Sequence, residues 1–207
     1  MFKIDEPEIN NLKQVNYNEI KNKEKLEEYI FINENIELDK NVEIKSCKFN
    51  GVVFDELSIK FANVEDVEFI NCDLSNISFI DSSFFRVKFV NCKLFGANFV
   101  DSDFNNVIIE DSMCNLINIA GLKIQNTKIA NCNFKESRIM SCNLKNIILE
   151  DINFSNSEIL DTSLKNIDLS SSNIDNIKTD LNSIKGVIIN FHQVIDLIGL
   201  LGVKIKE

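Results

Sequence analysis

The sequence is poor in the residues that most catalytic and metal sites need. Its 207 residues include one His, no Trp, one Pro and six Gly. It contains no HExxH pair, no glycine-rich phosphate loop and no nucleophile elbow. The single histidine, His192, has no Ser or Cys partner at a recognisable spacing, which favours an ordinary polar role over that of a general base. We therefore expect a protein that is not an enzyme and that uses no cofactor and no metal.

Long apolar runs and an excess of basic residues are also missing. No stretch approaches the ~18 uncharged apolar residues of a membrane helix. The segment MFKIDEPEIN (1–10) carries acids and a proline where a secretory signal has a basic start and an apolar run. With 22 basic and 32 acidic residues the net charge is −10, which disfavours direct nucleic-acid binding and favours basic partners. These features predict a cytoplasmic protein that binds neither a membrane nor nucleic acid directly.

The cysteines lack the spacing of a metal site or a disulfide framework. No CxxC pair occurs, and no histidine is near any of them. We expect small, buried, unreactive thiols, and several free thiols fit a reducing cytoplasm. The six residues are Cys47, Cys72, Cys92, Cys114, Cys132 and Cys142.

What the chain has in abundance is an apolar residue at every fifth position. From Ile44 to Ile174 there are 27 such positions, and 26 of them are Ile, Leu, Phe or Val, with no insertion or gap. The residue two positions earlier is mostly small or β-branched, and the residue two positions later is mainly Asn, Asp or Gly. Neither an α-helix nor a flat strand produces a period of five.

The period of five predicts a coil with flat sides and sharp corners. Residues two apart in extended backbone point the same way, so each fifth residue and the one two before it face inward. Asn, Asp and Gly then turn the chain. Successive coils would stack ~4.8 Å apart, as neighbouring strands do. The core predicted from this pattern is centred on Phe69, Phe79, Phe89, Phe99, Phe134 and Phe154.

Several passages resemble the pentapeptide repeat family, whose consensus is A(D/N)LXX with a central Leu or Phe. They are NCDLS (71–75), NCKLFGANF (91–99) and NCNFK (131–135). The resemblance covers about 44–178 and implies an all-β fold, a right-handed quadrilateral β-helix in which four repeats make one coil. We expect an N-terminal cap over 1–43, then the β-helix over 44–178 and a helical module over 179–207. Within the cap, 18–31 could form a short charged helix, and an alternation typical of strands runs through Ile30, Ile32, Ile36, Leu38 and Val42.

The C-terminal segment GVIINFHQVIDLIGLLGVKIKE (186–207) has the signals of a short apolar helix. Asn190 with Gln193 indicates an N-cap and capping box, and Gly202 indicates a stop, which predicts a helix from Phe191 to Leu201. A helix that is apolar nearly all round must be buried. We expect one side to cap the last coil and the other to meet a second copy, through Phe191, Val194, Ile195, Leu197, Ile198, Leu200 and Leu201.

This tail resembles the dimerisation module of the Qnr-type and mycobacterial fluoroquinolone-resistance pentapeptide proteins. Those proteins bind DNA gyrase and topoisomerase IV as acidic, DNA-shaped rods. The resemblance implies a homodimer that binds a bacterial type II topoisomerase, and that modulates it or protects it from fluoroquinolones. The unbroken register leaves no room for the loops that protrude from Gram-negative Qnr rods. The alternative is a pentapeptide-repeat interaction scaffold with an unrelated protein partner.

Acidic residues that lie four repeats apart stack in such a rod and are candidates for partner binding. They could imitate a phosphate track, or they could belong to a mixed, solvated surface, because several lysines and an arginine interrupt the C-terminal half. Both interpretations remain open at this point. The candidate acids are Asp81, Asp101 and Asp161 with Glu158 nearby, Glu110, Asp111, Glu150 and Asp151 on the opposite side, and Glu65 and Asp66 near the N-terminal end.

Overall fold

The polypeptide winds into a parallel β-solenoid, seen in a computed structural model that describes residues 2–21, 23–38, 42–55 and 58–203. Residues four repeats apart are paired along it, as Ser83 is with both Asn63 and Asp103. Eight coils follow one another, numbered here 1 to 8, and they start at residues 25, 43, 63, 83, 103, 123, 143 and 163. The all-β, pentapeptide-repeat β-helix predicted from the sequence is confirmed.

Most of the regular structure consists of short parallel strands. Two α-helices, α1 (Leu181–Ile184) and α2 (Val194–Ile198), and two 3₁₀ turns, Tyr17–Glu19 and Gly199–Leu201, complete it. In chain order the strands are β1 (Lys13–Gln14), β2 (Lys25–Glu27), β3 (Tyr29–Ile32), β4 (Asn35–Ile36), β5 (Glu43–Asn50), β6 (Val53–Phe54), β7 (Ser58–Lys60), β8 (Asn63–Ile70), β9 (Ser78–Ile80), β10 (Ser83–Val90), β11 (Asp103–Glu110), β12 (Asn118–Ala120), β13 (Lys123–Ala130), β14 (Arg138–Met140), β15 (Asn143–Glu150), β16 (Glu158–Leu160) and β17 (Lys178–Thr179).

One long sheet, whose eight-residue strands run through a corner, forms two adjoining walls of the solenoid. It runs in the order β1-β3-β5-β8-β10-β11-β13-β15, with β2 also paired to β5. The other walls are built from shorter strands and isolated bridges, such as the series that joins Ser78, Asn98 and Asn118. In the part of the chain that the structure describes, no helix is long and apolar enough to cross a membrane.

The corners lie where the sequence predicts them, two residues after each central apolar position. Among the described residues all of these corners except Ser171 have positive φ, as at Asn71 (54°), Asn76 (58°) and Asp81 (52°). Asn and Asp tolerate this left-handed conformation better than other non-glycine residues. Phe61 and Leu116 adopt it as well, both with φ of 58°, although their side chains gain nothing locally from it.

Replacing Leu116 by Asn should therefore stabilise the protein by up to about 1 kcal/mol, because Asn enters the left-handed region at lower cost. Leu116 is exposed, and Asn already occupies the same corner at Asn76 and Asn156. Chemical denaturation measures the change. Met113→Asn is the control, since Met113 is also an exposed apolar residue but has no positive φ; a gain in both variants would mean that backbone conformation is not the cause.

The interior is a ladder of apolar side chains. Every fifth residue from Ile44 to Ile174 is buried except Leu144 and Leu149, so the six predicted core phenylalanines are all inside. Phe31, Phe49, Phe69 and Phe89 stack along one column with ring centroids 4.9 to 5.0 Å apart and nearly parallel planes. Phe79 and Phe99 stack on another, 5.7 Å apart.

The N-terminal segment differs from the helix expected over 18–31. That prediction was wrong, because β2 and β3 lie in this range and pair with β5 as an additional coil. Leu26 pairs with Ile44 here, so this coil is two residues shorter than the regular ones. Leu26 and Phe31 continue the buried ladder. Charged side chains between them lie on the outside, which is why the segment resembles a polar helix in sequence.

Residues 2–10 form an extended arm, with no regular secondary structure, that runs along the outside of the solenoid. The Glu8 N–H donates to Asp66 Oδ1 at 2.9 Å, and the Asp5 N–H donates to Asn106 Oδ1 at 3.1 Å. Three extended residues span about 10 Å and two coils span about 9.6 Å, so the arm crosses the coils in register. Asp66, Asn106 and Ile108 point outward and are nonetheless buried.

The C-terminal helix begins later than predicted, although its cap is confirmed. Asn190 Oδ1 accepts from the N–H groups of His192 and Gln193, and Gln193 Oε1 accepts from the Asn190 N–H at 2.8 Å. Regular α-helix covers only α2, and Gly202 ends the following 3₁₀ turn with φ of 70°. In the single chain α2 contains no buried residue and only Leu197 packs against the core, so its burial against a second copy stays a prediction.

Candidate protein-binding surfaces

Half of the ten predicted partner-binding acids are neutralised by a neighbouring base. Lys128 lies between Glu110 and Glu150, 3.5 and 3.2 Å from their carboxylates. Glu158 is held by Lys178 at 3.0 Å and by Arg138 at 3.5 Å. Acid and base alternate along the axis because the pairs come from stacked coils. These acids therefore contribute little net negative potential.

Glu65 and Asp66 form a tighter cluster around Arg86. The guanidinium Nε lies 2.6 Å from Asp66 Oδ1, and its second nitrogen lies 2.6 Å from Oδ2 and 3.2 Å from Glu65 Oε1. Burial acts to raise the pKa of Asp66, but hydrogen bonds from Arg86 and from the Glu8 N–H outweigh it, so the pKa is lowered. The arm bonds to the buried Asp66, which makes this cluster a structural anchor, while the side chains of Glu65 and Arg86 stay partly exposed.

Asp81, Asp101 and Asp161 share one corner of the coils and are exposed. Within the described residues none of them makes an ion pair. Asp81 and Asp101 are on adjacent coils, ~4.8 Å apart along the axis, and Asp161 is three coils further, roughly 14 Å. Gly121 lies above Asp101, where a Cβ would come within 2.1 Å of Asp101 Oδ1. Glycine at this corner leaves room for the carboxylate.

Asp180 extends this column and was missed by the sequence reasoning. Its Oδ2 accepts from the Asp161 N–H at 2.9 Å, and it also caps α1. The Ser183 hydroxyl and the N–H groups of Asp161 and Ser183 lower the pKa of Asp180 to about 2. Four repeats after Asp161 the sequence arrives at Leu181, so Asp180 lies one position off the repeat. We name Asp81, Asp101, Asp161 and Asp180 the acidic column.

The opposite corner carries Asp111 and Asp151 within a ladder of asparagines. The Asn91 amide donates to Asn71 Oδ1 at 2.7 Å, and the Asn131 amide donates to Asp111 Oδ1 at 3.2 Å. The two carboxylates are two coils apart, about 9.6 Å. Both are exposed, and neither makes an ion pair with the described residues. The structure thus brings five of the ten predicted acids to exposed corners as free carboxylates, divided between two corners.

The C-terminal end presents an exposed apolar patch. Phe191 is 83% exposed and Ile195 66% exposed, and Val194 is 40% exposed beside them. Of the other residues predicted at a dimer interface, Leu197, Ile198 and Leu200 are not fully exposed, and Leu197 packs against the core. The side chain of Leu201 lies outside the described part of the structure. A patch of this kind on the surface of one chain is typical of an interaction site.

The thiols and the surface concavities offer little for chemistry. All six cysteines are free and buried, and burial raises the pKa of Cys47 to about 11, which suppresses the reactive thiolate. Open concavities of about 300 to 440 Å³ lie in the grooves between stacked outward side chains. Among the described residues no group of three or more His, Cys, Asp or Glu side chains could hold a metal ion.

Part of the chain matches the model of a known protein family. The model of the pentapeptide repeat region matches residues 42–119. That range covers most of coils 2 to 5, where the phenylalanine ladder is densest. No curated protein matches the sequence.

Solved structures of similar architecture share little sequence with the chain. Full-length QnrB1, a plasmid-mediated fluoroquinolone resistance protein, is 16% identical with a TM-score of 0.37, over 86% of this chain and 90% of that one. HetL, a pentapeptide repeat protein involved in heterocyst differentiation regulation in the cyanobacterium Nostoc sp. strain PCC 7120, is 11% identical with a TM-score of 0.35, over 80% and 89%. Rfr23 from the cyanobacterium Cyanothece 51142 is 12% identical with a TM-score of 0.24, over 80% and 88%.

Proposed function

We propose that this pentapeptide-repeat β-helix acts without catalysis, as a homodimeric DNA-mimicking rod. Its partner is a bacterial type II topoisomerase, DNA gyrase or topoisomerase IV, which it modulates or protects from fluoroquinolones. The class of partner comes from the resemblance of the repeats and the tail noted in the sequence. The observation that carries the proposal is the acidic column, because its carboxylates are free of ion pairs while half of the predicted acids are neutralised.

The acidic column supports DNA mimicry through its geometry. A protein surface that binds duplex DNA presents basic side chains along a line of phosphates, which are spaced about 3.4 Å apart along each strand. Asp81 and Asp101 repeat at ~4.8 Å along a straight axis. Because electrostatic complementarity is local, such a line can engage part of a basic groove even on a rod whose other faces are mixed in charge. The remaining ion-paired walls then stay outside the contact.

The apolar patch at the C-terminus supports a tail-to-tail dimer. Eight coils make a rod of about 38 Å, and two such rods joined end to end reach about 75 Å. Exposed aromatic and aliphatic side chains that converge at one end provide the apolar centre that stable interfaces have. Phe191 and Ile195 are the most exposed of them. The dimer doubles the length over which the acidic column can contact a partner.

Neutralising Asp81, Asp101 and Asp161 together as Asn should weaken topoisomerase inhibition roughly tenfold. Each exposed contact contributes about 0.5 kcal/mol, and three of them amount to about one factor of ten. Asn keeps the left-handed corner, as Asn71, Asn91 and Asn131 do elsewhere. The measurement is a gyrase supercoiling assay, with and without ciprofloxacin, titrated with wild-type and variant protein.

The matched control neutralises Glu27, Glu43 and Asp103 as Gln, Gln and Asn. It changes the net charge equally, but these acids are already paired with Lys25 or Lys123. Equal loss in both triple variants would show that total charge matters and the acidic column does not. Wild-type protein that neither inhibits nor protects gyrase at micromolar concentration would refute the proposal.

Ile195→Glu should convert the dimer to a monomer. A carboxylate in the centre of an apolar interface is left without a partner, and its desolvation exceeds what the contact gains. Sedimentation or light scattering reads out the mass, and Ile80→Glu, at a half-buried outward position far from the C-terminus, is the control. A wild-type protein that is monomeric at all concentrations would contradict the proposed dimer, while leaving the fold untouched.

The second candidate is an interaction scaffold for an unrelated protein. It is favoured by the paired state of Glu110, Glu150 and Glu158, which leaves most of the walls electrically mixed. Affinity purification with the tagged full-length chain distinguishes the two. Recovery of one specific partner without topoisomerase subunits, confirmed with the purified partner, would favour the scaffold.

A further inference from the structure

The wall of the solenoid is open between coil 7 and coil 8. On the adjoining wall these two coils are paired as elsewhere, with the Phe154 N–H donating to the Asn173 carbonyl at 2.7 Å and the Asn156 N–H to the Asp175 carbonyl at 2.9 Å. Between β15 and the stretch 163–170, all of which is described, no backbone hydrogen bond is formed. The long sheet therefore ends at β15 with a free edge.

Turn geometry explains the opening. At the corner of β5, β8, β10, β11, β13 and β15 the chain continues as an extended strand through its positive-φ residue. At the same corner of coil 8 it makes a tight turn, in which the Ile167 N–H donates to the Leu164 carbonyl at 3.0 Å. A tight turn and an extended corner have different shapes and cannot stay in one ladder. Coil 8 instead forms backbone hydrogen bonds with the residues that follow it in the chain, as from the Leu169 N–H to the Ile188 carbonyl.

The opening exposes donors, acceptors and part of the core. In earlier coils the N–H groups at the central and corner positions donate to the next coil, as those of Leu74 and Asn76 do. The equivalent N–H groups of Leu144, Asn146 and Leu149 have no such partner among the described residues. Leu144 and Leu149 are also the only central residues of the series that are not buried. The apolar interior of the solenoid is therefore partly exposed at the same place as the unpaired backbone N–H groups.

A cleft of about 300 Å³ lies along this free edge. Ile147, Leu149 and Glu150 are on one side of it, and Asn166, Asp168 and Ser170 are on the other. Its apolar part lies toward the middle of β15. Its far end is acidic, since Asp168 lines it and Asp151 follows β15 in the chain, while the Glu150 carboxylate there is paired with Lys128. Asp168 is exposed and makes no ion pair with the described residues, and the hydroxyl and N–H of Ser170 lower its pKa.

We propose that this free edge is a strand-acceptor site that binds an extended segment of a partner protein. The segment adds to β15 as a parallel strand, with main-chain hydrogen bonds to Leu144, Asn146 and Leu149. Alternate side chains point into the opening and are apolar, because residues two apart face the same way. Basic residues follow at the C-terminal end of the segment, where the carboxylates of Asp151 and Asp168 lie without an ion-pair partner among the described residues. The occupant is thus an alternating apolar strand that ends in Lys or Arg.

The test uses the full chain and a short synthetic peptide, Thr-Val-Thr-Val-Thr-Lys-Lys, with a fluorescent label. Anisotropy should show saturable binding. A peptide with N-methyl groups on alternate backbone nitrogens should not bind, because it lacks the N–H donors of a paired strand. Amide hydrogen exchange at Leu144, Asn146 and Leu149 should be fast in the free protein and slowed by the peptide. Absence of binding up to millimolar peptide, or binding indifferent to N-methylation, would overturn the proposal.

Charge reversal at the rim identifies the site. Asp168→Lys should weaken binding of the peptide that ends in Lys-Lys roughly fivefold, which is the effect of one exposed charge pair. The same variant should bind a peptide that ends in Glu-Glu more tightly than the wild type does. Asp175→Lys changes the net charge by the same amount on another wall of the same coil, and it should alter the binding of neither peptide. Equal effects of the two variants would also overturn the proposal.

Two other occupants give distinct results. If the chain's own C-terminal residues fill the cleft, the three amides are protected in the free protein and lose protection when residues 203–207 are removed. If a second copy fills it, their protection rises with protein concentration alone. Either outcome replaces the partner segment with that occupant and refutes the proposal.

Discussion

Phe89→Ala should lower the free energy of unfolding by about 4 kcal/mol, the largest effect we expect from any single substitution. Phe89 is fully buried, and its ring stacks on Phe69 with centroids 4.9 Å apart. It also meets the ring of Phe84 at 6.4 Å. Removing the ring leaves a cavity in a column that neighbouring coils cannot close, because their spacing is fixed by the backbone ladders on both sides. Urea denaturation followed by circular dichroism measures the loss.

Phe95→Ala is the control for size and residue type. Phe95 is 43% exposed on the outside of the same coil, so its truncation should change stability by less than about 1 kcal/mol. If Phe89→Ala were as mild as Phe95→Ala, the inward assignment of the ladder would be contradicted. The contrast between the two variants therefore tests the fold itself.

Arg86→Met should cost about 3 kcal/mol at neutral pH. Arg86 holds the Asp66 carboxylate with two contacts of 2.6 Å, and the Asp66 side chain is 6% exposed. Losing one partner of a nearly buried pair leaves a charge without compensation. Arg138→Met is the matched control, because Arg138 is 61% exposed and lies 3.5 Å from Glu158; exposed pairs contribute about 1 kcal/mol or less. Thermal and urea unfolding measure both.

The effect of Arg86→Met on the free energy of unfolding should also depend on pH. The folded-state pKa of Asp66 lies below its ordinary value of 3.8, so its contribution to stability is complete above that value. It is lost as pH falls through the lowered folded-state pKa. The difference between wild type and Arg86→Met should therefore shrink in strong acid. In the double variant Arg86→Met with Asp66→Asn most of the loss should be recovered; no recovery would show that packing, and not the charge, was lost.

The features that depend on the period of five could be predicted from the sequence. The inward ladder and the corners follow from local chemistry, because an apolar residue, an extended side and an Asn or Asp corner recur in every unit. The capping box of Asn190 and Gln193 is equally local and was confirmed in detail. Coil 1 was predicted only as a strand-like alternation over 30–42, because it is shorter than the regular coils and departs from the period, and its charged outward side chains imitate a polar helix.

The candidate surfaces could be predicted only in part. Stepping by four repeats finds Asp81, Asp101 and Asp161, but Asp180 lies one position short of the next step. Which acids are neutralised depends on how lysine and arginine side chains of stacked coils meet, and the spacing alone does not determine this. The opening beside β15 depends on a change of turn type at Asn166, and asparagine occurs at many other corners without it.

The N-terminal arm has a consequence for synthesis of the protein. Each coil of a solenoid contacts mainly its neighbours, so coils can form in order as the chain emerges. The arm is the exception, because the Asp5 N–H bonds to a side chain 101 residues later. At a synthesis rate of about 5–20 residues per second, that acceptor follows by roughly 5–20 s. The arm therefore finds its place only long after its own synthesis, once the coil that carries Asn106 has formed.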